Sequence, residues 1–352
     1  MITMNEKSIG SDKTPTPGSR PTVYDVARHA GVSIKTVSRV ANESSGVSPK
    51  TRRVVANAIR ELGYVPNAAA RSLVTGSSHT IGVVVDSISD PFFASLVSVA
   101  ESRALAAGFS TQVASTGREL QRERDQIVRM ARENVRGLLL APAMGSHDYL
   151  APTLGDIPIV LVDRGWPDSG LDTVGVQDRS ATRSAIERFI SYGHRRIAFL
   201  GDVSDHLTTT HHRREGYLDA LLAAGVPVAP ELVKTHLSMD DPGGTAVTEL
   251  LELTDPPTAL FSSNARTSLG AVRALHRRGR TDIALIGFGD FDLADALIPG
   301  VTVVDHDPRQ IAAAAIDRLL TRIRGQAVAP IEIMVPVSLV TRGSGELPCV
   351  PS

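Results

Sequence analysis

From Thr80 onward, apolar runs of strand length alternate with amphipathic stretches of helix length, and this alternation constrains the fold more than any other feature. Near-continuous apolar strands separated by helices are typical of parallel sheets buried on both faces. The predicted strands are Ile81–Val85, Gly137–Leu140, Ile159–Val162, Arg196–Leu200, Ala259–Phe261 and Ile283–Ile286. The predicted helices are Phe92–Ala107, Arg118–Glu133, Ser180–Tyr192, Arg213–Ala224, Thr267–Arg278 and Pro308–Arg324. Because about 260 residues are many for one open sheet, we expect an α/β body of two doubly wound sheets facing a cleft.

The segment before this body predicts three short helices instead. Thr22 and Asp25 fit a capping box at the start of the first helix, which runs to about Ala30. Gly31 suits the left-handed position after that helix, and Ser33 is placed to cap a second helix, residues 34–41. Ser48 and Pro49 suit the start of a third. Its predicted apolar stripe is Val54, Val55, Ala58, Ile59 and Leu62.

The sequence of the first two helices is typical of a helix-turn-helix that reads DNA. Val26, Ala30, Val37 and Val40 face the angle between them, which leaves the other side of the second helix polar. An α-helix fits the major groove, where its side chains meet base edges. The predicted DNA contacts in this segment are Thr22, Tyr24, Ser33, Ile34, Lys35, Thr36, Ser38, Arg39 and Asn42.

The distribution of charge supports this prediction. Nine cations and three anions give residues 20–76 a net charge of +6, whereas the rest of the chain carries −7. A basic end on an acidic body is the pattern that phosphate binding by one end requires.

A short hinge is expected between the head and the body. Asn67 suits an N-cap, and a helix over residues 68–74 has only about two turns. So short a helix is marginal alone in water, so we expect it to fold on binding.

Candidate ligand-binding residues follow predicted strands or lie where the chain passes between lobes. Ligands of doubly wound folds bind where the carboxyl ends of strands face the cleft. The candidates are Asp86, Asp90, Phe92, Phe93, Asp163, Arg164, Asp178, Arg213, Asn264, Arg266 and His306.

The segments TVYDVARHAGVSIKTVSRVAN and ELGYVPNAAARSL resemble the lac/galactose repressor family of bacterial transcription regulators. The body adds IGVVVDSISDPFF, GHRRIAFLG and IALIGFGD in the family's order, so the resemblance extends from Thr22 to about Arg342. It implies a homodimer on a pseudo-palindromic DNA operator, with Ile34 and Lys35 setting operator choice.

For the hinge, the resemblance implies paired helices in the minor groove. Leu73 holds the position of a side chain that wedges between base steps, and Ala70 lets the two helices approach. In the body it implies that Arg213 grips an effector, that Asn264 contacts it, and that Phe92 and Phe93 form a pocket wall.

Two departures from the family pattern affect the expected effector. Ala265 stands where an Asp usually follows Asn264, and Gly289 replaces a common carboxylate. With Arg164, Arg213 and Arg266 nearby, this predicts a more cationic cleft and an anionic effector, such as a sugar acid or sugar phosphate.

The expected function is a transcription regulator, most simply a repressor, whose operator affinity depends on a small metabolite. Whether the metabolite releases the protein from DNA or retains it there stays open. A transport receptor and a sugar-modifying enzyme are the alternatives, disfavoured by the basic head and by the absence of Walker, dinucleotide-binding and nucleophile-elbow motifs. Neither a cofactor nor a metal site is expected.

The expected location is the bacterial cytoplasm, on nucleoid DNA, because no apolar run is long enough for a membrane span and the single cysteine excludes a disulfide framework within the chain. A dimer is preferred to a tetramer because no leucine heptads follow Arg342. The predicted domains are a disordered tail (1–20), the head (21–65), the hinge helix (66–77), the body (78–343) and a second tail (344–352). Within the body we expect an N-lobe (about 78–177 and 308–335) and a C-lobe (about 178–307 and 336–343).

Overall fold

The computed structural model describes residues 21–41, 45–65, 79–166, 169–204, 207–326 and 329–349. The chain divides into two compact units, one within residues 1–77 and one within residues 78–352. Four predicted DNA contacts lie outside the described residues: Asn42, Asn67, Ala70 and Leu73.

The first unit contains the three predicted helices, which are α1 (Val23–Ala30), α2 (Ile34–Ala41) and α3 (Pro49–Leu62). Thr22 and Asp25 form the predicted capping box. Gly31 has a φ of +64°, so the turn between α1 and α2 uses backbone that glycine adopts readily.

A small apolar core holds these helices together. It consists of Val26, Ala27, Val37, Val40, Val55 and Ala58. One prediction is wrong here: Val54 is 42% exposed, because Val55 and Ala58 fill the inward face of α3 and turn Val54 toward solvent.

The second unit contains the predicted α/β body. Its strands are β1 (Thr80–Val85), β2 (Ser110–Ser115), β3 (Gly137–Leu140), β4 (Ile159–Asp163), β5 (Asp172–Gly175), β6 (Ile197–Leu200), β7 (Val233–Lys234), β8 (Ala259–Ser262), β9 (Ala284–Phe288), β10 (Thr302–Asp305), β11 (Glu332–Met334) and β12 (Ser338–Val340). Its helices are α4 (Pro91–Ala106), α5 (Leu120–Arg132), α6 (Leu150–Leu154), α7 (Asp178–Ser191), α8 (Thr208–Ala223), α9 (Gly244–Leu251), α10 (Ala265–Arg277) and α11 (Pro308–Ile323).

Two six-stranded sheets form the two lobes, as predicted. The N-lobe sheet has the order β11-β5-β4-β3-β1-β2 and is parallel throughout. The C-lobe sheet has the order β12-β10-β9-β8-β6-β7. It departs from the expected all-parallel arrangement, because β12 arrives by a short connection from the N-lobe and pairs antiparallel with β10.

The chain crosses between the lobes three times, at residues 176–177, 306–307 and 335–337. In each sheet the order reverses beside the first strand of that lobe, between β1 and β3 and between β6 and β8. Such reversal points leave a crevice at the carboxyl ends of the strands, where ligands bind in folds of this kind.

Some predicted boundaries differ from the structure. Helix α8 begins at Thr208, so Arg213 lies in its second turn and not at its start. The segment expected to be a tail also packs on the body: Ser344 is 4% exposed, and Leu347 O accepts a hydrogen bond from buried His194. It is held because Gly345 lies directly against Ile286 of β9.

Candidate functional site

The outer face of α2 presents three predicted DNA-reading side chains to solvent. Ile34 is 40% exposed, and Lys35 and Arg39 are exposed beside it. Val37 and Val40 on the opposite face are buried, which fixes the rotation of the helix. An exposed helix with this apolar anchor can enter a major groove without rearranging the core.

The smaller polar residues of this surface also stabilise helix ends. Ser33 Oγ accepts a hydrogen bond from the Thr36 backbone at 3.2 Å and lies 2.9 Å from Thr36 Oγ1. Thr22 is exposed while capping α1, and Tyr24 is 62% exposed. Ser38 is partly buried. DNA contact by these residues, and by the three side chains on the outer face of α2, remains a prediction.

A cavity of about 380 Å³ lies between the two lobes of the body, at the carboxyl ends of strands from both sheets. Nine of the predicted effector-binding residues line it: Asp86, Asp90, Phe92, Phe93, Asp163, Arg164, Arg213, Asn264 and His306. The expectation that ligands bind at the carboxyl ends of strands therefore identified residues that are far apart in the sequence but line one cavity.

Two predicted residues do not line this cavity. Asp178, at the first interlobe crossing, accepts a 2.6 Å hydrogen bond from Arg213 Nε. Arg266 donates to Asp202 at 3.2 Å, and its Nε lies 3.7 Å from Asp90 Oδ2. Asp178 therefore positions Arg213, and Arg266 positions Asp202.

An ion-pair network connects the two lobes beside the cavity. Arg118 donates to Asp86 of the N-lobe at 2.8 Å and to Asp202 of the C-lobe at 2.7 Å. Asn264 adds a 3.0 Å hydrogen bond to Asp202 from its Nδ2. These contacts link the ends of β1 and β6 directly, so a ligand that moves one of them changes the contact between the lobes.

Aromatic and cationic groups form the opposite wall. Phe92 stacks on His306 with ring centroids 4.8 Å apart, and Phe288 meets His306 edge-on at 5.1 Å. The Arg213 guanidinium lies 3.6 Å above the Phe288 ring, a cation–π contact that holds it flat. Arg213 also donates to the Ser263 carbonyl. Apolar faces beside fixed donors suit a ring that carries hydroxyls.

The expectation of a cationic cleft is wrong. Among the described residues, the cavity lining contains eight aspartates and four arginines, so carboxylates outnumber guanidiniums. Arg164, for example, donates to Asp163 at 2.8 Å, to Asp86 and to the Pro142 carbonyl at 2.7 Å. The prediction weighed the arginines without their pairing to Asp86, Asp163 and Asp178, which were themselves candidates, and it missed the further aspartates of the lining, such as Asp202.

Burial and pairing shift the acidities of the cleft groups in different directions. Burial raises the pKa of Asp178 to about 6, against the opposing effect of Arg213. Burial also raises the pKa of Asp163 and of Asp90. For Asp202, burial opposes ionisation, but Arg118 outweighs it and lowers the pKa.

His306 is neutral over the physiological range. Burial, together with the nearby Arg213 guanidinium, lowers its pKa to about 3. Its Nδ1 is buried and has no hydrogen-bond partner within the described ranges. A neutral imidazole with an unused nitrogen can exchange a hydrogen bond with a ligand hydroxyl.

Sequence reasoning missed Arg118, Asp202 and Phe288. Asp202 was within reach, because it directly follows a predicted strand. Arg118 was not, because it follows β2, whose mixed polar sequence STQVAS gives no apolar run. In the part of the chain that the structure covers, no cluster of side chains suits a metal ion, and no helix is long and apolar enough to cross a membrane.

Comparison with known families gives two matches along the chain. Residues 22–67 match the family described as "Bacterial regulatory proteins, lacI family". Residues 78–336 match "Periplasmic binding proteins and sugar binding domain of LacI family".

Individual relatives agree over nearly the whole length. The HTH-type transcriptional regulator CelR of Thermobifida fusca is 35% identical, over 93% of this chain and 98% of that protein. The HTH-type transcriptional repressor CytR of Escherichia coli strain K12 is 30% identical, over 92% of this chain and 96% of that protein.

Solved structures show the same similarity. A lac repressor dimer bound to operator and the anti-inducer ONPF gives a TM-score of 0.82 at 28% identity, covering 93% of this chain and 99% of that one. A complex of the regulator CelR with cellobiose gives a TM-score of 0.68 at 31% identity, covering 92% and 100%.

Proposed function

This chain belongs to the LacI family of bacterial regulatory proteins, and from that membership we propose that it is a repressor released from its operator by a neutral, hydroxyl-rich metabolite. Like its relatives, it is a DNA-binding transcription regulator and not an enzyme. The operator, the effector and the sign of the response are the parts that we propose.

The observation that carries the proposal is the interlobe cavity with its excess of carboxylates. Aspartate oxygens accept hydrogen bonds from hydroxyls and repel anions. Phe92 and His306 add a stacked aromatic wall, which suits the apolar face of a sugar ring. A neutral sugar therefore fits this lining better than the sugar acid or phosphate expected from the sequence. The relative CelR was solved with cellobiose, a neutral sugar.

We propose a two-state mechanism for release. The Arg118 bridge between Asp86 and Asp202 stabilises one orientation of the N-lobe relative to the C-lobe. An effector that binds these carboxylates competes with Arg118, so it has different affinities for the bridged and unbridged states. Such a difference is what a ligand needs to shift a conformational equilibrium.

On the DNA side, we propose a homodimer that places two α2 helices in successive major grooves of a pseudo-palindromic site. A lac repressor was solved as a dimer bound to operator. The hinge contacts of Leu73 and Ala70 are part of this proposal, as are the predicted bounds of the head, the hinge and the two lobes. So is its place of action, on the nucleoid DNA of the bacterial cytoplasm.

The test begins with selection of binding sites by the full chain from a random double-stranded DNA library. The selected duplex then serves as the probe in fluorescence anisotropy, with neutral sugars, sugar acids and sugar phosphates added in turn. We expect a palindromic site, and release by a neutral sugar alone. Release by the anionic compounds alone would contradict the effector class, and tighter binding with a sugar would contradict release as the direction of the response.

A further inference from the structure

A second cavity, of about 360 Å³, adjoins the interlobe cleft. The two cavities share Asp163, Arg164 and Thr209 in their linings. The second cavity, which we call the side chamber, lies between the segment that follows β4 and the start of α8. The two cavities therefore adjoin at these three residues, and a ligand that occupied both would pass beside Arg164.

Arg164 is a fixed boundary between the two spaces. It is 6% exposed, and its guanidinium donates to Asp163, Asp86 and the Pro142 carbonyl. Asp163, at the end of β4, has a φ of +69°, which non-glycine residues rarely adopt and which functional sites often contain. Because Arg164 is held on three sides, its position between the two cavities is fixed.

Trp166 supplies an aromatic wall of the side chamber and is partly buried. Its ring lies 5.1 Å from that of His147, which is only 3% exposed. His147 Nε2 lies 3.0 Å from Glu123 Oε1 without a hydrogen bond between them, and buried Glu123 accepts hydrogen bonds from Tyr149 Oη at 2.5 Å and the Ala143 backbone at 2.6 Å. This buried cluster supports the indole and keeps its orientation fixed.

The remainder of the lining is polar and acidic. Asp163, Asp178 and Glu332 bring three carboxylates against the one guanidinium of Arg164, and His212 adds an imidazole. Burial lowers the pKa of His212, so it does not offset the acidic charge at neutral pH. A flat aromatic face beside several acceptors suits a neutral ring with hydroxyls and disfavours an anion.

We propose that the side chamber binds the second ring of the effector, which is therefore a neutral disaccharide or longer saccharide. The first ring occupies the cleft beside Phe92 and His306, and the second lies against Trp166. The proposal rests on the effector-controlled regulation proposed above, and it assigns the class of effector. Trp166 is a specificity-determining residue in this arrangement, because a monosaccharide in the cleft does not reach it.

The composition of the chain provides a direct probe, since Trp166 is its single tryptophan. Tryptophan fluorescence of the full chain therefore reports the surroundings of Trp166, which are the side chamber and a smaller cavity of about 100 Å³ beside His147. The ligands are glucose and galactose with the disaccharides cellobiose, maltose, lactose, sucrose and trehalose. We expect at least one disaccharide to shift the Trp166 emission to shorter wavelength and to bind roughly tenfold more tightly than its monosaccharides.

Two variants separate stacking from a general effect on folding. In calorimetry, Trp166→Ala is expected to lose the roughly tenfold advantage of the disaccharide, and Trp166→Phe to retain most of it. Equal loss in both variants, with unchanged thermal unfolding, would show that the ring is not a stacking platform and would overturn the assignment.

Operator release, measured with the selected duplex, distinguishes the two proposals. If a monosaccharide releases the operator while disaccharides bind no more tightly and leave the Trp166 emission unchanged, the side chamber is not a ligand site, although the regulatory function stands. If no sugar of either size releases the operator, both the sugar effector and the side-chamber assignment are wrong.

Discussion

Gly289 determines the shape of the cleft wall at the scale of one residue. Its φ is +86°, and a Cβ at this position would lie 2.9 Å from His306 Cε1. A carboxylate side chain at this position, as expected from the family pattern, would displace the His306 ring and disrupt its stacking on Phe92. The departure seen in the sequence is therefore linked to the aromatic wall, and it does not make the cleft cationic.

We predict that Gly289→Asp abolishes release of operator by the effector while leaving operator binding intact. Gly279→Asp is the matched control, because Gly279 has a φ of +64° and no atom within 4 Å of its Cβ position. Both variants bear a left-handed-backbone cost of about 1 kcal/mol, so their unfolding midpoints should fall. Loss of release in both, or in neither, would contradict the role of the space beside His306.

We predict that His306→Gln reduces the loss of stability on acidification. The folded pKa of about 3 lies below the value of about 6.5 expected in the unfolded chain. The stability due to the neutral imidazole is therefore complete above about pH 6.5 and is lost as the pH falls toward 3. At pH 5 the difference is about 2 kcal/mol. Thermal unfolding between pH 7.5 and 5 checks this, and parallel curves for the variant and the native chain would contradict it.

At the scale of elements, the predictability of each strand followed the length of its apolar run. Strands such as Gly137–Leu140, with both faces covered, had the predicted bounds. Edge strands β2, β7, β11 and β12 were missed, because one side of each lacks a neighbouring strand and short or polar sequences suffice there. The central strands β5 and β10 were missed too, because their sequences DTVG and TVVD contain only two or fewer consecutive apolar residues. The site residue Arg118 was missed with β2, whereas Asp86 and Asp163, at the ends of the apolar strands β1 and β4, were found.

Helix α2 carries a prediction about selectivity. Lys35→Ala should lower affinity for the selected operator more than for unrelated duplex, because Lys35 is exposed on the reading face. Lys50→Ala, an exposed cation at the start of α3, is the control for charge alone and should weaken binding to both duplexes equally. Anisotropy titrations measure, for each variant, the ratio of its affinity for the selected operator to its affinity for unrelated duplex. An equal change of this ratio in the two variants would contradict the assignment of α2 as the reading helix.

At the scale of the whole molecule, the interlobe network is the feature that joins sensing to shape. The alternation of strands and helices over about 260 residues predicted two lobes and a cleft, but the partners of Arg118 depend on how the two sheets approach each other. No local pattern in the chain records that Asp86 and Asp202 meet the same guanidinium. Charge in the cleft could therefore not be deduced by counting residues near strand ends.

We predict that Arg118→Leu lowers the free energy of unfolding by about 1–3 kcal/mol, since it leaves two buried carboxylates with fewer partners. The loss is limited because Asp86 retains Arg164 and Asp202 retains Arg266. Arg103→Leu is the control, because its pair with Asp317 is exposed, and it should cost less than about 1 kcal/mol. Denaturant unfolding of the two variants measures the difference, and equal costs would contradict a buried bridge.

The measurement that tests the account most directly is the affinity of the full chain for its selected operator, with and without saturating effector. We predict that a neutral saccharide lowers this affinity in the native chain, and that Gly289→Asp retains the affinity but loses the response. An operator affinity that no neutral saccharide changes would contradict the account, because the cleft would then not control the DNA-binding head.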